Sequence, residues 1–334
     1  MKNFETAEGL GESPPVRRRI RGVALFFLKY VVGISLIAWM ALTGKLDLGT
    51  VGTLPAPLVA ELFALIAVQT VLAAMRARYI LNHQGIRTSL GQCLLFNCSG
   101  ILYSAFLPGG ITGDAVRAYL FMKAVPDHRL PILGAMFLDR VLGMLSMVTL
   151  GLGAAIYMAI ALPVIRPYLL AFTAIFATLL GGLASMHFIG GRHRHDEVAR
   201  GRLPRFWAGV KRAVAELRIH HYPLPVLLSA VMQSVVIHLT AVAIIYLCSV
   251  QSRAGLGFME VFVATPIGLL VNAVPLSPGG LGIGENAFEI LYRAIGGQHG
   301  AISFLLARVV LYSPALIGLA YIAQRLLFRK RARA

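Results

Sequence analysis

The sequence predicts an all-α polytopic membrane protein built as an inverted-topology repeat, with six full spans and two re-entrant helical hairpins. Three observations predict it. The chain is 57% hydrophobic and only 13% charged, with a mean hydropathy of +0.75, whereas a soluble domain carries about twice that charged fraction. Apolar runs repeatedly reach the roughly 18–20 residues that cross a bilayer. Two of these runs are interrupted by near-identical motifs, Pro108-Gly109-Gly110-Ile111-Thr112-Gly113-Asp114 and Pro278-Gly279-Gly280-Leu281-Gly282-Ile283-Gly284-Glu285.

Residues 1–22 form a basic segment that ends in Arg17-Arg18-Arg19-Ile20-Arg21, and a span follows at about 23–43. A basic flank without a small-residue cleavage site reads as a start-transfer helix with a cytoplasmic N-terminus. The next apolar run is about 56–75. The first hairpin follows, an arm at 88–107 and a weaker helix at about 111–122. Spans at 131–161 and 167–189 lead to a basic loop, 190–222. The second half repeats the order: a span at 224–250, a hairpin of 257–277 and 281–295, and a span at 299–327 before the basic tail 328–334. The helices after the breaks are too short to cross, since twelve helical residues rise only about 18 Å. The domain organisation expected is therefore one membrane domain, 23–327, with repeat halves at about 56–161 and 224–327.

Charge sets the topology. If each hairpin returns to its own side, the basic N-terminal segment, the loop 190–222 and the tail all share the cytoplasmic face. Lys45, Arg166, Arg253 and Arg293 remain outside. Without the returns, the loop and the tail would lie outside, against the positive-inside rule. The first hairpin then enters from the cytoplasm and the second from the outer side, so the halves run in opposite senses. In such repeats a site forms near the midplane where the halves meet, and broken backbone at membrane depth must be buried or line a wet cavity. The expected location is the cell (inner) membrane, with both termini cytoplasmic.

Each break is followed by an acid and then by an arginine inside the next apolar run: Asp114 with Arg140, and Glu285 with Arg308, at spacings of 26 and 23 residues. Arginine is permanently charged and its fork of donors matches phosphate oxygens. Arg140 and Arg308 are thus the first candidates for holding a lipid head group, with Arg117, three residues after Asp114, as a further one. Asp114, Asp139 and Glu285 are candidates for ion pairing or proton coupling; Asp114 and Glu285 also sit where a carboxylate caps a helix. Asp139 is adjacent to Arg140, and adjacent helical residues point apart, so it is not expected to neutralise Arg140 directly. Pro108, Gly109, Gly110, Pro278, Gly279 and Gly280 shape the breaks. Glu289 reads as part of a solvated helix face, and His238, Gln233 and Asn272 as interhelical hydrogen-bond partners.

The net charge of +17 does not indicate nucleic acid, because the basic residues flank apolar spans without aromatic interleaving. Cys93, Cys98 and Cys248 have no metal or disulfide spacing and read as packing residues. No catalytic module, metal site or cofactor motif is recognisable; the glycines at 280–284 lack the preceding strand of a dinucleotide loop.

The paired Pro-Gly-Gly-acid motifs, together with Leu138-Asp139-Arg140-Val141-Leu142-Gly143, resemble the lysylphosphatidylglycerol synthase transmembrane-region family of flippase-like membrane proteins. The resemblance runs over about 23–327, and Leu276-Ser277-Pro278-Gly279-Gly280-Leu281-Gly282-Ile283-Gly284-Glu285 is its most specific part. It implies lipid translocation by the membrane region. Aminoacyl transfer in the full synthases belongs to a separate cytoplasmic domain, which the resemblance does not cover. The expected function is a lipid translocase that moves an anionic, modified or polyprenyl-phosphate-linked lipid between leaflets by alternating access. The competing readings are a membrane transferase using Asp114 or Glu285 as general base, and a non-catalytic partner of a lipid-modifying enzyme. Membrane lipids, and such an enzyme, are the expected partners.

Overall fold

The computed structural model describes residues 31, 34–43, 54–107, 111–160, 166–191, 222–274 and 276–331, and these form helices joined by short turns. Residues 34–42 of the first predicted span are helical; most of the rest of that span lies outside the described residues. Pro108, Gly109 and Gly110, nearly all of loop 190–222 and the last tail residues also lie outside them.

The described helices are α1 (Ala56–His83), α2 (Leu90–Phe106), α3 (Ile111–Ala124), α4 (Arg129–Met158), α5 (Arg166–Gly191), α6 (Leu224–Gln251), α7 (Phe258–Asn272), α8 (Ile283–Ala294), α9 (Gly300–Tyr312) and α10 (Ala315–Arg331). Among the described residues, four stretches are long and apolar enough to cross a membrane: Ala56–His83, Pro126–Met158, Leu224–Gln251 and Gly300–Arg325. The chain is a multi-pass membrane protein.

Local chemistry explains the helix ends. Pro55 precedes α1 in extended conformation, a position where a missing N–H costs nothing. Ser89 and Gln92 cap α2 reciprocally. Pro314 separates α9 from α10, because it supplies no N–H to continue the ladder. The span predicted as one piece at 299–327 is therefore two helices in line. In α1 the structure departs from the sequence reading the other way. The apolar run stops at 75, but the helix continues to His83 and buries Arg76 inside the protein.

Helix α1 packs along α6. The arm α2 packs against α3 and α10, while α7 packs against α8 and α4. One apolar cluster joins α1 to α4 and α6 around Ile80, Phe96, Phe121 and Leu138. A second joins α6 to α9 with α1, and in it the Phe288 and Phe304 rings stack at 4.3 Å. A third, around Val148, Phe172 and Val263, holds α5 and α7 on α4.

The α2–α3 arms touch backbone to backbone. A Cβ on Gly113 would lie 2.0 Å from Ser104 Oγ and 2.4 Å from the Gly100 carbonyl oxygen. Such overlap forces the helices apart, at a cost of about 1–3 kcal/mol. Gly113→Ala is therefore expected to lower the midpoint of thermal unfolding in detergent. Gly153→Ala, whose Cβ would meet nothing within 4 Å, is expected to leave it in place or raise it through helix propensity. Equal midpoints for both variants would show that the arms are not in close contact.

Candidate functional site

Two clusters of charge lie in the interior, one behind each break. In the first, Asp139 on α4 is 1% exposed and accepts from two guanidinium groups. Arg76 Nε of α1 donates to Asp139 Oδ1 at 2.7 Å, and Arg117 Nη2 of α3 donates to Oδ2 at 2.6 Å. Arg76 Nη1 donates to Ser234 Oγ of α6 at 2.6 Å, and Arg117 Nη1 donates to Asn97 Oδ1 of α2 at 3.1 Å. Asp114 stands beside this cluster, 3.7 Å from Arg117 Nη2 and 3.4 Å from Arg140 Nη1. The Asp139 pairs are tight and dry. The Asp114 pairs are long and half-open, the side chains of Arg140 and Asp114 being 44% and 29% exposed.

The second cluster is centred on Arg308 of α9, and each of its nitrogens donates within the protein. Nε bonds Glu285 Oε1 at 2.5 Å, Nη1 bonds the Gly279 carbonyl, and Nη2 reaches Asn272 Oδ1 at 2.9 Å and the Gly280 carbonyl at 3.1 Å. Phe304 and Tyr312, one turn before and one turn after, place their rings 5.0 and 5.9 Å from the guanidinium carbon. Glu285 Oε2 also accepts the Gly282 N–H at 2.7 Å, so this carboxylate is cap and ion-pair partner at once. The Gly280 backbone needs a glycine here: its φ is +72°, and a Cβ would lie 2.2 Å from Asn272 Oδ1.

Both clusters border one cavity of about 430 Å³. Arg76, Arg117, Arg140 and Arg308 line it, with Asp114 and Asp139 as its carboxylates. His238 on α6 also faces it, and its Nε2 lies 2.9 Å from the Gly143 carbonyl oxygen of α4. Four permanent cations around one chamber suit an oxyanion.

The geometry sorts the arginines that the sequence had grouped. Arg140 has a single, long ion pair and stays open to the cavity; Arg308 is buried and bonded through every nitrogen; Arg117 lies between. Asp139 makes its ion pairs with Arg76 and Arg117, while Arg140 pairs with Asp114. Glu289 differs from the expected solvated acid. It is 2% exposed, accepts from Arg293 Nε at 2.6 Å and takes the Ala301 N–H at the start of α9. The orphan amides of that helix end draw it inward. Sequence reasoning missed Arg76, which directly follows the apolar run that ends at 75, and Asn97. Gln69, Thr70 and Arg76 share one face of α1 and all line the cavity, polar side chains at helical spacing that do mark it.

The family model described as Lysylphosphatidylglycerol synthase TM region matches residues 26–318. The chain belongs to this family. Members of the Lysylphosphatidylglycerol synthase TM region family are membrane domains linked to lipid-related functions, and the matched stretch contains both breaks and every charged residue of the cavity. Comparison with curated proteins gave no match.

Removal of the Asp139 carboxylate leaves two buried guanidinium groups, Arg76 and Arg117, without their shared counter-charge. Breaking a buried pair this way costs about 3–5 kcal/mol. Asp139→Asn is expected to depress thermal stability in detergent strongly, and Asp114→Asn, on longer and wetter pairs, only slightly. The reverse order of unfolding midpoints would overturn this assignment.

Proposed function

We propose that the chain is a lipid translocase that moves an anionic, modified or polyprenyl-phosphate-linked lipid between leaflets. One observation carries this reading: four guanidinium groups from α1, α3, α4 and α9 converge on a single interior cavity. Charge at membrane depth is costly and serves a pathway or a partner. Arg140, open and weakly paired, makes first contact with the head group, and Arg117 supports it. Arg308 adds to the positive wall while its carbonyl bonds hold the second break. Asp114, Asp139 and Glu285 act as ion-pair partners that fix these arginines.

Alternating access supplies the movement. The helix contacts support two halves related by a pseudo-two-fold axis: α1 lies on its counterpart α6, α2 lies on the last helix of the other half, and α7 lies on α4. Each arm-plus-break unit, α2 with α3 and α7 with α8, then acts as a re-entrant hairpin. Rocking of the halves would expose the cavity to one leaflet and then the other. The chain sits in the cell membrane with both termini cytoplasmic, as the basic flanks favour.

Reconstitution into vesicles with fluorescent anionic lipid tests the proposal. The purified protein is expected to raise leaflet exchange above that of empty vesicles, and Arg140→Ala to lower the added rate about tenfold or more, the worth of one charge-assisted contact. Exchange at the wild-type rate in Arg140→Ala would reject Arg140 as the head-group contact. No exchange above empty vesicles with any anionic lipid would reject the translocase.

A further inference from the structure

The two clusters are not equivalent electrically. At the second break, Arg308 is matched by Glu285 and its nitrogens are all engaged. At the first, three guanidinium groups, Arg76, Arg117 and Arg140, meet only two carboxylates, Asp114 and Asp139. Among the described residues, one positive charge in the cavity wall therefore has no protein counter-charge. Arg140, with its side chain 44% exposed, presents that charge at the cavity surface, where a bound anion can complete it.

A second observation falls in the same place. Arg117 Nε and Asn97 Nδ2 are buried donors with no hydrogen-bond partner among the described residues. Both residues are more than nine-tenths buried, at 8% and 6% exposure, and both line the cavity. The amide cannot be turned over to hide its donors, because Asn97 Oδ1 is already held by Arg117 Nη1. Buried unpaired donors cost about 1–3 kcal/mol each, and here two of them border one excess cation.

We infer that the first-half wall of the cavity is a seat for a single oxyanion bearing one negative charge, bound by Arg117 and Asn97 with Arg140 beside them. Arg308 and its half contribute no second seat. This rests on the translocase reading only for which molecule carries the oxyanion. A lipid phosphodiester and a free phosphate share the chemistry, and the experiment separates them.

Asn97→Asp is the decisive variant. It keeps the shape and the acceptor for Arg117 Nη1, replaces the unpartnered donor with an acceptor, and brings the carboxylates level with the guanidinium groups. A purely structural Asn97 would tolerate it. The purified full chain is titrated with phosphatidylglycerol in neutral detergent, read by native mass spectrometry, and with radiolabelled inorganic phosphate by equilibrium dialysis. Asn97→Asp is expected to weaken whichever anion binds by about tenfold or more, without lowering the unfolding midpoint. Asn97→Leu is expected to weaken it less, and stands in if Asn97→Asp does not fold. Glu289→Gln, which loosens the α8–α9 junction away from the cavity, is expected to lower the midpoint and leave binding unchanged. Wild-type affinity in Asn97→Asp, an equal loss in Glu289→Gln, or binding of neither anion would overturn the seat. Phosphate binding that Asn97→Asp abolishes, with no lipid retained, would keep the seat and count against the translocase. Lipid exchange that Asn97→Asp leaves at full rate would keep the translocase and overturn the seat.

Discussion

Asp139 between Arg76 and Arg117 is the interaction on which the rest of the structure depends. One carboxylate, itself almost fully buried, ties α4 to α1 and α3, and through the outer donors of its partners to α6 and α2. Five helices are thus fixed by the requirement that two cations share one anion. The same requirement explains how Arg76 stays buried just past the end of the apolar stretch of α1. Arg76 ends no span, because its charge is answered at depth. It also explains why the cavity stays polar: side chains bonded in this way cannot turn outward to let apolar packing fill the space.

The two breaks share a sequence pattern and differ in physics. Glu285 sits in the first turn of α8 and can cap Gly282 while pairing with Arg308, so one arginine neutralises one acid and then ties down the carbonyls of the break. Asp114 also sits in a first turn, but Asp139 takes the strongest bonds of its nearest arginine. Asp114 is left with two longer pairs and Arg140 with one. Similar motifs therefore produce a closed knot at one break and an open, charge-rich wall at the other.

Much of the fold was legible because it follows from one-dimensional rules. Apolar length marked α1, α4, α6 and the α9–α10 pair, and Pro-Gly-Gly marked the breaks. The acid-to-arginine spacing found Glu285 with Arg308, and Asp114 with Arg140. What stayed hidden depends on a third dimension. Arg76 looks like an ordinary cytoplasmic flank until Asp139, 63 residues away, is placed beside it. Glu289 looks solvated until the start of α9 turns back over it. Pro314, the residue that splits the last span, was visible all along; hydropathy averages over a single proline, while hydrogen bonding does not.

The distribution of these contacts bears on how a rocking protein would move. Among the described residues, each ion pair lies within one half of the proposed repeat: Arg76, Arg117 and Arg140 with Asp114 and Asp139 in the first, and Arg293 and Arg308 with Glu289 and Glu285 in the second. The side-chain contacts across the halves are of another kind. Arg76 meets Ser234, His238 meets the Gly143 carbonyl, Ser146 meets the Val231 carbonyl and Thr240 meets Gln69. Only the first of these involves a formal charge. Hydrogen bonds between neutral groups are worth about 0.5–1.5 kcal/mol net, and separating a buried ion pair costs several times more. Halves that slide past each other would thus exchange inexpensive contacts, while each carries its charges as a fixed unit. The unmatched charge would travel with the first half, so a bound oxyanion would keep the same ligands as access changes sides. The barrier to movement would then lie in the apolar seams along α1 and α6, not in the electrostatics of the site.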